Sequence, residues 1–173
     1  DFKGRLKTMN EGRHRLITIS RQMGSGGTYL GYLLARKLGF TYIDRELLRK
    51  AAQHLKTDAE KLASVEERSS GLLAKILQAF ALGTPEAPNM PSMERPVYDN
   101  DLFTVESRIM NELADASDLV VIGRGGFHVL GARPRAVHVF THAPVEFRIQ
   151  RVMKVHKNFD AKRAQAEIEE SDL

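Results

Sequence analysis

Cysteine and tryptophan are both missing from the 173 residues of this chain. The first absence removes disulfides, thiol nucleophiles and thiolate zinc sites together, and it fits the reducing cytoplasm in which the protein is expected. No apolar run approaches the roughly 18 residues needed to cross a bilayer, so no membrane partner is expected. The opening stretch "DFKGRLKTMNEGRHR" is basic and polar. It lacks the apolar core and cleavage site of a signal peptide. Aromatic residues make up only 7% and are scattered, with no basic stripe studded by stacking side chains. That argues against a nucleic-acid surface. The six histidines show no metal-ligand spacing such as H-E-x-x-H.

What remains is the composition of one soluble domain, 42% hydrophobic and 28% charged, long enough to bury a core. Basic residues outnumber acidic ones by 26 to 22, a net charge of +4. The balance suits an anionic partner such as nucleotide phosphates without singling one out.

Along the chain, β-branched runs alternate with helical patterns. "LITIS" reads as a strand that ends at a glycine cluster. "TYLGYLLARKL" places Leu30, Leu33, Leu34 and Leu38 on one helical face, with Gly39 as C-cap. "FTYID" is a second strand and "RELLRKAAQHL" a helix leaving it. Strand, loop, helix, strand makes a βαβ unit and hence a parallel sheet. Residues 58–82 read as helical. Four of the six prolines then fall between Pro85 and Pro96, so 83–100 is expected to be a mobile, proline-rich connection. Leu102, Val105, Ile109 and Leu113 mark a further helix, and "DLVVIG" and "AVHVF" two more strands. A helix starting at Pro144, with the proline in its first turn, turns Val145, Ile149, Val152 and Met153 inward, and "FDAKRAQAEIEESDL" continues as a charged helix. The expected fold is α/β, with at least four parallel strands flanked by helices. Residues 1–14 form a basic arm and 15–173 one domain.

The stretch "ISRQMGSGGT", residues 19–28, sits at the first strand-to-helix junction. The phosphate-loop pattern G-x-x-x-x-G-K-[ST] cradles phosphates with backbone N–H groups, reaches the β/γ oxygens with its lysine and meets Mg²⁺ with its hydroxyl. Laid on this chain, its first glycine falls on Arg21, its second on Gly26, its lysine on Gly27 and its hydroxyl on Thr28, with Gly24 and Ser25 between them. A helix N-terminus there would face the anion. The alternative is a turn that binds nothing. A dinucleotide loop, G-x-G-x-x-G, is disfavoured because its third glycine would fall on Tyr29.

Together, "ITISRQMGSGGTYLGYLLARKLGFTYIDRELL", "VVIGRGGFHVL" and "VFTHAPVEFRIQRVM" resemble the cytidylate kinase-like family of P-loop nucleoside monophosphate kinases, from about Arg15 to Leu173. The lysine-less "SRQ-x-GSGG" loop is itself characteristic of that group. The resemblance implies a three-layer P-loop fold, ATP as donor, Mg²⁺ carried with it at Thr28, and a small-molecule acceptor. A nucleoside monophosphate such as CMP comes first among acceptors. It also places the acceptor near "YID", where Asp44 would orient its phosphate or hold Mg²⁺ through water. An N-cap for the following helix is the alternative for Asp44. Residues 144–173 would begin a lid whose Arg148 and Arg151 close over the donor. Relatives continue past "EESDL" with further lid arginines and another strand. Cytidylate kinases carry an acidic residue after the arginine of "GRGG"; Gly125 stands there in this chain, which puts cytosine reading in question.

Arg124 in "GRGG" lies where a parallel strand ends, the edge at which open α/β sheets bind ligands. It is expected to fork onto phosphate, with a surface salt bridge as the alternative. Arg148 and Arg151, three residues apart, are expected to lie off the apolar stripe of their helix. Glu106 falls inside the apolar stripe of its own helix and needs either Arg124 or Arg108 as partner, or an escape to water. Arg21, Arg124, Arg148 and Arg151 are the cations that would stand in for a missing lysine, Arg124 and Arg151 foremost. Two rivals stay open: a nucleotide or anion sensor without turnover, and a nucleic-acid module. The oligomeric state is open too, a homo-oligomer included.

Overall fold

A computed structural model describes residues 13–48 and 100–172, with side chains from 103 onward in the second part. The basic arm through residue 12, the helical stretch 58–82, the proline-rich connection through 99 and the place of Leu102 lie outside the described residues.

All four expected strands form. They are β1 (Leu16–Arg21), β2 (Thr41–Ile43), β3 (Leu119–Ile122) and β4 (Ala136–Thr141). They pair in parallel in the order β2-β3-β1-β4. Five helices are labelled here: α1 (Gly27–Leu38), α2 (Asn100–Ala116), α3 (Gly126–Leu130), α4 (Val145–Val155) and α5 (Ala161–Asp172). A further helical turn begins at residue 45. Among the described residues, no helix is long and apolar enough to cross a membrane.

The inner strands β1 and β3 are covered on both faces, whereas Val137, His138 and Phe140 of the edge strand β4 are exposed. On one face, Leu16, Leu119 and Val121 pack with Ile109, Met110 and Leu113 of α2 and Leu130 of α3. On the other, Ile19, Val120 and Ile122 meet Ala35 of α1. Strands buried on both sides are what continuous apolar runs such as "LVVI" specify. Leu113 has no exposed surface, so truncating it to alanine would cost about 2–5 kcal/mol.

α1 departs from expectation. The leucine stripe was to face the core; Leu34 does pack against it, but Leu30, Leu33 and Leu38 are exposed, and the buried positions are Gly27, Gly31 and Ala35. The cause is close approach. A Cβ at Gly31 would fall on Ile122 Cδ1 and 3.1 Å from Ile19 Cδ1, so the helix backbone rests on the sheet where only a small residue fits. Gly39 does cap the helix, at φ 68°, its N–H bonded to the Ala35 carbonyl.

The C-terminal helices also differ in detail. Pro144 is the N-cap of α4 rather than a first-turn residue, and the charged tail is a separate helix after a break at residues 156–160. Val152 is buried against Ala164 and Ile168 of α5, and Val145, Ile149 and Met153 pack around them as expected, together with Met23 from the glycine loop. That contact ties α4 and α5 to the loop. The short helix α3 was not foreseen.

Candidate active site at the carboxyl edge of the sheet

All four strands end on one edge, and the loops after β1 and β3 leave it for opposite faces, towards α1 and α3. Divergence of neighbouring connections opens a crevice between strand ends. By topology that crevice belongs at the ends of the paired strands β1 and β3, where the Arg21 side chain reaches Gly123.

On one side of it the glycine loop wraps the start of α1. Gly24 and Gly26 are left-handed, at φ 79° and 91°. Gly26 is the N-cap of this 12-residue helix and has no side chain with which to bond its first N–H groups. These donors and the helix dipole favour an anion. The loop is braced by β4. Gln22 N–H donates to the Thr141 carbonyl at 3.0 Å. Ser25 Oγ donates to the Gln22 carbonyl at 2.8 Å and lies 3.1 Å from Thr141 Oγ1. Ser25 is therefore committed to holding the loop's shape. Thr141 is a member of the site that no motif announced.

Gly27 is buried where the general pattern has lysine. A Cβ there would fall on Thr141 Oγ1 and come within 2.7 Å of Arg21 Cβ. The glycine is a packing requirement. Thr28, one residue on, is half-buried in the first turn of α1.

Two arginines of α4 meet the loop. Arg151 lays its guanidinium against Gly26, its Cζ 3.4 Å from where a Cβ would stand, and over the Tyr29 ring. Arg148 does not lie off the apolar face as expected. It is buried, its backbone pressed on Gly24, with Nη1 2.8 Å from Asp172 Oδ2 and Nε without a partner among the described residues. The helix rotates Arg148 inward because Asp172, at the end of α5, supplies the counter-charge.

On the other side of the crevice Gly123, Arg124 and Gly125 are all left-handed, at φ 67°, 52° and 65°. That conformation costs a non-glycine residue roughly 1–2 kcal/mol, so something must hold Arg124 in it. Its Nε donates to Glu106 Oε2 at 2.9 Å and Nη2 bonds the same oxygen. Glu106 has no exposed surface, and its Oε1 has no partner among the described residues. Of the partners weighed for Glu106, Arg124 is the one in place, and Arg108 pairs with Glu112 instead. Gly125 is explained by both conformation and space, since the Phe103 ring lies 3.3 Å from where its Cβ would be. A side chain there would be strained by the left-handed backbone and would press on the Phe103 ring.

Asp44 caps the helix that starts at residue 45, accepting the Leu47 N–H at Oδ1, 3.0 Å. It also bonds the Tyr42 hydroxyl. Burial, then the Asp44 charge and that bond, push the Tyr42 hydroxyl above its ordinary pKa, so it stays a neutral donor. Arg21 closes β1, and its side chain runs past Gly27 to the end of β3, where a Cβ on Gly123 would meet Nη1. Burial lowers its pKa, opposed by Tyr42 and Asp44 and reinforced by Arg45. The loop set Gly24–Thr28 thus gathers with Arg148 and Arg151, Arg21 reaches from the loop to Gly123 and feels Tyr42 and Asp44, and Arg124 is held from behind by buried Glu106. His138, expected to be packed within its strand, is exposed but bonds buried Thr18 Oγ1 at 2.7 Å and meets the Phe127 ring edge-on. Among the described residues, no cluster of three or more His, Asp or Glu is placed to hold a metal ion.

Compared with protein families, residues 16–173 match the cytidylate kinase-like family. The chain belongs to that family. This cytidylate kinase-like chain also resembles a solved, uncharacterized protein from Eubacterium ventriosum, 18% identical over 92% of this chain and 71% of the other, TM-score 0.62. A shikimate kinase from Bacteroides thetaiotaomicron is 14% identical over 91% of this chain and 76% of its own, TM-score 0.46. A gluconokinase from Sinorhizobium meliloti is 15% identical over 92% and 75%, TM-score 0.48. The first likeness concerns the fold alone. Comparison with curated proteins gave no match.

Proposed function

We propose that the chain transfers the γ-phosphoryl group of ATP to a small acceptor, and that the acceptor is a nucleoside monophosphate, CMP being the first to test. The observation that supports this reading is the shared sheet edge. The glycine cradle at Gly24–Thr28, with Arg151 against Gly26, follows β1, and Arg124 and Asp44 follow the next strands in the sheet, β3 and β2. The cradle suits the donor phosphates, and the ends of β3 and β2 a phosphorylated acceptor.

Mg²⁺ fits as an ion carried by the donor. Thr28 offers one hydroxyl, and phosphates and water would complete the shell, as this ion prefers. Bound there, it would neutralise charge on the transferred group. The chain's own residues position the partners. In transfer, an oxygen of the acceptor phosphate bonds the γ-phosphorus while the bond to the β-bridging oxygen breaks. Its electron pair stays on ADP, and the products are ADP and a nucleoside diphosphate. An anionic acceptor oxygen needs no general base, so cations and geometry carry the rate.

ADP release from ATP–Mg²⁺ with CMP, dCMP, UMP, AMP or GMP tests the proposal. Turnover of one acceptor is expected, with Arg124→Ala lowering kcat/KM at least tenfold, chiefly through KM. One observation favours a second reading, a nucleotide sensor. Arg124 and Arg148 are already held by Glu106 and Asp172. That reading expects ATP binding and no ADP release with any acceptor.

A further inference from the structure

The loop has two departures from the general phosphate-binding pattern, arginine for its first glycine at Arg21 and glycine for its lysine at Gly27. Taken singly they look like two losses. In three dimensions they occupy one volume. The stem of a side chain at residue 27 would begin 2.7 Å from Arg21 Cβ and 3.3 Å from Arg21 Cγ. The arginine's stem fills the space a lysine's would need. From there the side chain crosses the crevice to Gly123, whose missing Cβ leaves room for Nη1 and holds Cζ at 3.0 Å from that position. Three features that are separate in sequence are thus one steric arrangement.

We propose that Arg21 is the cation of this loop. The positive charge that other phosphate loops deliver from the first turn of the helix is delivered here from the end of β1, and Gly27 and Gly123 are the two openings that let it pass.

The inference rests on the donor-site reading above and deepens it. The charge state of the neighbours supports it. Arg124 and Arg148 are each in contact with a carboxylate, whereas among the described residues no carboxylate is in ion-pair contact with the Arg21 guanidinium. Tyr42 and Asp44 act on it at longer range, and Arg45 and burial oppose its charge. An anion entering the crevice would relieve that opposition. Arg151 meets the same loop at Gly26, so phosphates held by the loop would have a second guanidinium within reach. An arginine fork offers two parallel donors where a lysine offers a point charge.

The test is equilibrium binding of ATP, inorganic tripolyphosphate and AMP to the full chain and to Arg21→Gln and Arg21→Lys, without acceptor. Removing a charge-assisted hydrogen-bond donor is expected to weaken ATP and tripolyphosphate binding by roughly tenfold to a hundredfold. AMP, which has no terminal phosphates, should change less than about threefold, and Arg21→Lys should recover most of the loss.

In case Arg21→Gln does not fold, the Arg21 Nε–H resonance of the unaltered chain, assigned by its disappearance in Arg21→Lys, should move on adding tripolyphosphate. Equal affinities in the variants, a loss shared by AMP, or a resonance that ignores tripolyphosphate overturns the proposal. If the unaltered chain binds neither ATP nor tripolyphosphate, the donor-site reading fails and the role of Arg21 with it. If it binds them and only the arginine variants show no effect, the donor site stands and this inference alone is wrong. Selective weakening without any acceptor turnover would keep the inference and remove the kinase reading.

Discussion

Replacing Gly27 by alanine sets two effects of opposite sign against each other. The residue opens α1 and is not among the left-handed glycines. Helix propensity alone would make alanine stabilising, by about 0.5–1 kcal/mol. Packing opposes this, because the new Cβ falls on Thr141 Oγ1 and within 2.7 Å of Arg21 Cβ. Neither atom yields cheaply. Arg21 Cβ is fixed to the strand backbone, and Thr141 Oγ1 braces the loop through Ser25. Overpacking of this kind costs about 1–3 kcal/mol, so the clash outweighs the propensity gain, with a net loss of up to about 2.5 kcal/mol. For a chain of this length that is a fall of up to roughly 10 °C in Tm. Thermal melts followed by circular dichroism would measure it. In a Thr141→Ala background, where the nearest clashing atom is gone, the fall should be clearly smaller. A rise in Tm, or the same fall in both backgrounds, would refute the packing account of the missing lysine. Gly27→Lys should lose at least as much stability and gain no affinity for phosphates.

Other substitutions probe the far side of the crevice and the sheet's opposite edge. Glu106→Ala leaves Arg124 without its buried partner and should cost about 3 kcal/mol, with Glu106→Gln milder; urea titration would reveal either, and a silent Glu106→Ala would mean the pair does not hold the "GRGG" turn. Asp44→Ala should cost about 1 kcal/mol as a lost cap. Asp44→Asn should keep the cap but reduce phosphoryl transfer; full activity in Asp44→Asn would leave the carboxylate a purely structural role. Asp118 is held below its ordinary pKa, first by the Arg15 N–H at 2.8 Å, then by the Arg15 guanidinium and the His14 ring, with burial opposing. A depressed folded-state pKa stabilises above the unfolded value and is lost as pH falls through the folded one. Asp118→Asn should therefore lower Tm at pH 7, and the gap should close as the pH drops below about 4; a gap independent of pH would contradict the assignment.

The strands were legible because β-branched, apolar runs bounded by glycine leave few alternatives, and "LITIS", "LVVI" and "AVHVF" lie within a residue of where they were expected. The inward face of α1 was not. Periodicity favoured the leucines, but Gly31 and Ala35 permit closer approach to Ile19 and Ile122 than any leucine would. Small residues carry no hydropathy signal, so a packing face built from them is invisible to a pattern of apolar side chains. The candidate site shows the same division. The glycine loop and "GRGG" announce themselves as local motifs. The links that complete them join distant segments: Glu106 to Arg124, Asp172 to Arg148, Thr141 to Ser25, and Phe103 to Gly125. Arg148 illustrates the consequence, since helical spacing put it on the polar face and a counter-charge on α5 let it turn inward.

The most direct test of the account is the product of a single reaction. The chain would be incubated with ATP–Mg²⁺ and each of the five nucleoside monophosphates, and phosphorus NMR would follow the mixture. The account predicts ADP together with one nucleoside diphosphate in equal amounts, from one preferred acceptor. ATP that binds but stays intact with all five acceptors would contradict it, and would leave the lysine-less loop as a binding site without phosphoryl transfer to nucleotides.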